Sequence, residues 1–327
     1  NFNDREYTSS NIKTVRFHRK NEPMSYPIIA LNSNQQLTLS FDEAGTTIRE
    51  YYFSIELCDA DWQSSGLMKT EYYRGEERLP VRDYKRSFNT SFDYIHYQLV
   101  FPDAGASLLR SGNYLLRVYQ DYGDKEPVIV RRFMVSEQEM RIETDISYTM
   151  QSSGRDNYQE IDFEVFHPGT NIQDPQSEVQ VTVMQNNRTD NAITGLSPMF
   201  SGEDHLDFNY NGEIVFEGGN EFRWIDLRSF RFQSDHVENI EFTDPFYHVD
   251  VFTDRPRVDK PYRYHRDYNG QYYIDVQEEQ NPAVSADYGF VHFSLKGPSF
   301  SDGHEVYLIG GLTNWQCNEN NLMDYDH

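Results

Sequence analysis

The chain has 327 residues, room for two or three domains of ~100–150 residues, each with its own core. Its 29 Lys and Arg against 53 Asp and Glu give a net charge of −24, which argues against nucleic acid and anionic lipid as main partners, because the long-range field repels phosphate. Hydrophobic residues are only 37%, a level that with this charge would suit disorder, but 24 Tyr and 22 Phe supply the apolar area that sheet faces and contact surfaces use.

Along the chain the hydrophobic period is two. Leu37, Leu39 and Phe41 alternate with Thr38 and Ser40, and Tyr51, Phe53, Ile55 and Leu57 alternate with Tyr52, Ser54 and Glu56. Ile95, Tyr97, Leu99 and Phe101 repeat the pattern, and Gly112–Gln120 and Val128–Val135 read as the last two strands of an immunoglobulin-like sandwich. Ile161, Phe163 and Val165, then Val179, Val181 and Val183, continue it. Strands are expected again at Gln271–Gln277, Tyr288–Leu295 and Glu305–Ile309. No long amphipathic helix interrupts the series, and turns such as Ser111-Gly112-Asn113 and Asn211-Gly212 punctuate it. The expected class is all-β, with tandem immunoglobulin-like β-sandwich domains.

Three domains are drawn from these strands. Residues 1–137 form an N-terminal sandwich with a long insertion at 59–93, residues 138–256 a second sandwich, and residues 257–327 a third. Ser136–Glu139 and the proline-bearing Thr253–Pro261 are the linker candidates. The third block is short and is expected to be an incomplete sandwich whose remaining strands lie beyond His327.

The insertion is far longer than the ~12–15 residues at which loops become functional or hold structure of their own. Trp62, Tyr72, Tyr73, Arg74, Arg78, Arg82 and Tyr84 are its partner-contact candidates, since Arg and aromatic side chains are enriched in contact surfaces. The alternative is a crossover strapped across the sandwich, with its aromatics in a satellite core.

Residues that would carry catalysis are sparse. Gly297-Pro298-Ser299-Phe300-Ser301 lacks the last glycine of a nucleophile elbow, and no His-Glu-x-x-His occurs. Asp59-Ala60-Asp61-Trp62 could offer oxygens to calcium or a glycosidase pair, but it lacks the remaining EF-hand ligands and a defined second acid. It reads best as short acids at a strand end, accepting backbone N–H groups beside a buried Trp. Cys58 and Cys317 match neither a metal spacing nor a disulfide framework. No run approaches the ~20 apolar residues of a membrane helix. No catalytic, cofactor-binding or metal residue is assigned, and no cofactor is expected.

Two resemblances add to this. Val306-Tyr307-Leu308-Ile309-Gly310-Gly311-Leu312-Thr313-Asn314-Trp315 resembles the first strand and turn of early-set immunoglobulin-like domains, including glycogen-binding modules. In that fold the Trp is largely structural, so glycan support is weak. The second covers the chain from near residue 11 to its end. Asn11–Val15, Ser25–Asn32, Leu57–Trp62, Ser87–Thr90, Asp93–Tyr97, Ser111–Leu116, Asp190–Ile193, Gly218–Trp224 and Asp244–Asp250, in that order, resemble the plug protein of the type IX secretion system of Bacteroidota. That resemblance implies a non-enzymatic periplasmic protein, not itself inserted in the membrane. It would associate with the outer-membrane translocon β-barrel and close its periplasmic opening. A periplasmic carbohydrate-binding β-sandwich protein is the alternative.

Overall fold

The computed structural model describes residues 6–103, 105–149, 158–218, 222–257, 267–297 and 304–325. The chain divides into two compact units, residues 1–137, 223–260 and 271–305 in the first and residues 138–222, 261–270 and 306–327 in the second.

The first unit begins with twelve strands, ten in a two-sheet sandwich and β6 and β10 paired with each other: β1 (Tyr7–Thr8), β2 (Ile12–Arg19), β3 (Ile28–Ala30), β4 (Leu37–Ala44), β5 (Tyr51–Cys58), β6 (Tyr73–Arg74), β7 (Leu79–Pro80), β8 (Asp83–Arg86), β9 (Tyr94–Phe101), β10 (Ser107–Leu108), β11 (Gly112–Gln120) and β12 (Ile129–Ser136). One sheet runs β1-β12-β11-β5-β7, with β3 parallel to β12, and the other runs β2-β4-β9-β8. The alternation explains the pairing. Tyr51, Phe53, Ile55 and Leu57 point inward from one sheet, and Leu37, Leu39, Phe41, Ile95, Tyr97, Leu99 and Phe101 from the other, into one buried cluster. The core is aromatic: Phe41 stacks on Tyr97 at 5.1 Å, Tyr51 meets both edge-on, and Phe133 stacks on Tyr114 at 5.0 Å. The Tyr114 hydroxyl donates to the Arg110 carbonyl four residues upstream at 2.7 Å, the return bond of a tyrosine corner in immunoglobulin-like sandwiches. Gly112 starts β11 at φ +140°, and a Cβ there would lie 2.9 Å from Leu57 Cδ1, so both backbone and packing select glycine.

The insertion holds structure of its own. It contains a one-turn helix α1 (Lys69–Tyr72), then β6, β7 on β5 and β8 on β9. It therefore carries the chain from one sheet to the other, and Tyr72, Tyr73 and Val81 enter the core on the way.

The second unit holds β13 (Arg141–Tyr148), β14 (Tyr158–Phe166), a one-turn helix α2 (Pro175–Glu178), β15 (Val181–Val183), β16 (Ile193–Leu196), β17 (Phe200–Ser201), β18 (His205–Asp207) and β19 (Val215–Glu217). A sheet of order β13-β14-β18-β17, with β19 also on β14, faces the β15–β16 pair across Phe163, Val165, Leu206, Phe208, Ile214 and Phe216.

The chain then returns to the first unit as β20 (Val237–Thr243), β21 (Phe246–Val251), the one-turn helix α3 (Pro282–Ser285) and β22 (Gly289–His292). Residues 223–256 and 271–305 thus belong to the unit founded on the N-terminal sandwich, whereas the sequence pattern places them in a second and a third domain. The cause is the outer face of the β2-β4-β9-β8 sheet. Alternation makes that face polar, with Thr14, Arg16, Asp42 and His96, yet the returning segment covers it. Tyr288 donates to Asp42 Oδ2 at 2.7 Å and accepts from the Thr14 hydroxyl, while His96 Nδ1 lies 2.7 Å from Asp42 Oδ1. Tyr272 and Tyr273 lie against the Arg16 guanidinium at 5.8 and 5.7 Å from their ring centres. Asp287 accepts the Ser91 N–H at 2.9 Å, and Tyr94 donates to the Ala286 carbonyl at 2.9 Å.

The expected strand at 271–277 is irregular here, and the one at 305–309 shrinks to a single bridge between Tyr307 and Leu322. Among the described residues no neighbouring strand supplies a ladder there, and without one the alternation alone does not hold a strand. Residues 219–221 of the Gly218–Trp224 string, 258–261 of the Thr253–Pro261 linker and 298–301 of the Gly297–Ser301 string lie outside the described residues.

Removing the Tyr288 hydroxyl leaves buried Asp42 short of a donor, a loss of ~1–3 kcal/mol. Tyr288→Phe is expected to lower unfolding free energy by that amount in guanidinium titrations. The exposed Tyr84→Phe should stay within ~0.5 kcal/mol of the parent. Equal stability of Tyr288→Phe and parent would contradict the clamp.

Candidate functional site

The seven partner-contact candidates do not form one patch. Tyr72 and Tyr73 are only 5% and 4% exposed and pack in the sandwich core, so as placed they have no face to offer a partner. Their Arg-rich surroundings resemble a contact surface in composition, but α1 turns the two rings inward, where Tyr72 meets Tyr114 and Tyr73 meets Phe101. Burial raises the pKa of both phenols above the usual range, Tyr73 to about 12. Trp62 is half-buried on the outer face of the β5–β11–β12 sheet, against Cys58, Leu115 and Val130, with the Arg132 guanidinium 4.4 Å from its ring centre. Arg74 and Arg82 are exposed, and Tyr84 is exposed on the edge strand β8 with its ring 6.0 Å from Tyr97.

Arg78 is the exception, because the fold gathers other groups around it. β7 pairs with Tyr52 and Phe53 of β5, and Tyr119 of β11 lies opposite Tyr52. This brings the Arg78 guanidinium 3.8 Å over the Tyr119 ring and 6.0 Å from that of Tyr122, and Arg78 donates to the Tyr122 carbonyl. Tyr52 meets Tyr122 edge-on at 5.4 Å. Tyr122 is 59% exposed. The guanidinium is stacked, which fixes its geometry, and one exposed aromatic stands beside it. Arg and Tyr held in this way are the side chains that anchor interfaces. Tyr119 and Tyr122 escape a reading of the sequence because one sits at an outward position of β11 and the other in the following turn. The usable signal is the Tyr52–Tyr119 cross-strand pair.

The Asp59–Trp62 string is a turn. Asp59 Oδ1 accepts the N–H groups of Asp61 and Gln63, both at 2.9 Å. Asp42 and His96 stand at the spacing of a catalytic dyad, but Asp42 is already engaged by the Tyr288 hydroxyl, which in turn accepts from Thr14. A cleft of 390 Å³ opens between Ile29–Gln36 and Pro102–Leu108, and Asp103 is the one ionisable residue among those lining it. Among the described residues no three His, Cys, Asp or Glu side chains converge as a metal ion would need, and no helix is long and apolar enough to cross a membrane.

Residues 12–137, the N-terminal sandwich described above, match the Type 9 secretion system plug protein 1st domain. The whole chain is also similar to a hypothetical protein from Parabacteroides merdae ATCC 43184, whose crystal structure it matches at 32% identity with a TM-score of 0.93, over 98% of this chain and 81% of that one. By this first domain the chain belongs to the type IX secretion system plug protein family. A comparison with curated proteins gives no match.

In this plug-family chain the matched residues are those that build the sandwich and its insertion, including Arg78 and Tyr122. The Asn314-Trp315 turn lies in the second unit. There Trp315 is half-buried, edge-on to Phe222 at 5.5 Å and with the Arg188 guanidinium 4.5 Å from its ring centre. Its ring is thus engaged by its own unit.

Interior and surface readings of the insertion separate in unfolding experiments. Tyr72→Ala is expected to cost ~3–5 kcal/mol, as for other large buried aromatics. Tyr122→Ala should cost no more than ~0.5 kcal/mol. Comparable losses would mean that Tyr122 is a packing residue.

Proposed function

We propose that this protein is a non-enzymatic periplasmic plug that associates with the outer-membrane translocon β-barrel of the type IX secretion system and closes its periplasmic opening. Membership of the plug family is the single observation that carries the reading.

The physical chemistry is compatible with it. An obstructing body needs bulk and a stiff interior more than a cleft. The stacked core of Phe41, Tyr51, Tyr97, Tyr114 and Phe133 supplies stiffness, because each ring is held by several others. A seal that must be reversible needs a few anchors within a polar rim rather than a wide apolar patch. Arg78 with Tyr122 has that character. The net charge of −24 speeds docking onto a basic rim and makes it salt-sensitive.

Affinity capture of the tagged protein from its native envelope is expected to bring down an outer-membrane β-barrel. Arg78→Ala with Tyr122→Ala should reduce that capture by about tenfold or more, as loss of interface anchors does. Recovery of the tagged protein only as a free soluble species would contradict the proposal.

A further inference from the structure

Every long sheet edge is a template for another chain unless it is blunted. The sandwich of the first unit blunts its edges: β7 has two residues, one of them Pro80; β8 is Asp83-Tyr84-Lys85-Arg86, all charged or polar-tipped and exposed; β2 is broken by a register shift between Lys13 and Arg16. β13 in the second unit is different. It pairs with β14 without interruption from Arg141–Phe166 to Tyr148–Gln159, over eight residues that include no Pro, no Gly and no Lys. Among the described residues no strand pairs with its other side, so alternate N–H and C=O groups along it point outward.

Both faces of β13 carry a pattern. Ile142, Thr144, Ile146 and Tyr148 share a face with Val165, Phe163, Ile161 and Gln159 of β14, the face on which the unit's core lies. Yet Ile142, Ile146 and Tyr148 are 60%, 62% and 67% exposed. The apolar floor therefore continues one strand beyond the core that covers it. On the opposite face Glu143 lies opposite Glu164, Asp145 opposite Asp162, and Glu164 opposite Asp207. Like charges directly across a ladder repel. Desolvation, and then the carboxylates of Glu160, Asp145 and Asp207, hold the Asp162 carboxyl above the usual range. Arg141 pairs with Glu143 at the strand's start and lies 4.1 Å from the Phe166 ring centre, but Asp145, Asp162 and Glu164 face no comparable cation on this sheet.

We infer that the free edge of β13 is a strand-addition site for an extended segment of another protein in which apolar residues alternate with Lys or Arg. Its backbone would complete the outward N–H and C=O groups. Its apolar side chains would cover Ile142, Ile146 and Tyr148, and its cations would stand beside Glu143 and Asp145. A second copy of this chain fits poorly. Antiparallel pairing of β13 with itself sets Glu143 opposite Asp145, or Asp145 opposite Asp145, in its central registers. The inference rests on β13 alone and does not depend on what the first unit binds.

The test uses the full chain and three fluorescein-labelled eight-residue peptides with blocked ends: alternating Lys and Val, the same composition in two blocks, and alternating Glu and Val. Anisotropy titration is expected to show the alternating Lys-Val peptide binding at least about tenfold more tightly than either of the others. It should also slow hydrogen exchange at residues 141–148. The double variant Glu143→Lys, Asp145→Lys, at two exposed positions, should reverse the preference toward the Glu-Val peptide. Equal binding of the two Lys-Val peptides would mean attraction by net charge alone and would overturn the inference. So would protection at another strand, or a concentration-dependent dimer that buries residues 141–148.

Discussion

Asp42 is a carboxylate taken out of water on the outer face of a sheet, and the architecture of the first unit depends on its being satisfied. A buried charge is tolerated only when hydrogen-bonded and paired. His96 supplies one partner from the adjacent strand β9, and Tyr288 supplies the other from a segment 246 residues further along the chain. Because that donor is remote in sequence, the sandwich cannot complete itself from its own strands. The chain leaves, builds the second unit, and returns with Tyr272, Asp287 and Tyr288 to cover a polar face. Burial in turn holds the Tyr288 phenol well above its usual range, the Asp42 charge adding to the effect, so the hydroxyl remains a donor wherever the protein is folded.

The strands of the sandwich were legible because one side of each is buried. Tyr51 to Cys58 and Tyr94 to Phe101 show period two, and both are strands paired in the expected all-β class. What period two cannot report is whether the polar side meets water. Thr14, Arg16, Asp42 and His96 have the composition of a solvated face, and only the tyrosine-rich returning segment shows otherwise. The only trace of it in the sequence is the run of tyrosines at 272, 273 and 288, which carries no address. The same limit explains the site. Arg and aromatic residues in the insertion have one composition and two fates: Tyr72 and Tyr73 go to the core, whereas Arg78 goes to a surface built with Tyr119 and Tyr122 from another hairpin.

The two units handle their edges in opposite ways, and this bears on function. The first closes its sheets with short, charged or bulged strands and covers its polar face, which suits a body that acts by filling space. Among the described residues the second leaves β13 unpaired on one side, with exposed apolar side chains on one face and facing carboxylates on the other. Natural sheets seldom leave such an edge unprotected. A protein whose work is contact can carry that cost where the contact is made.

As proposed, the protein obstructs as a stiff folded body and turns over no molecule. The direct measurement is the conductance of the purified type IX translocon barrel in a planar bilayer, with the protein added to the periplasmic side. If the protein plugs the pore, the open-pore current falls stepwise to near the closed level, and recovers as salt is raised and the acidic protein is screened away. Unchanged conductance at a protein concentration that saturates binding to the barrel would contradict it.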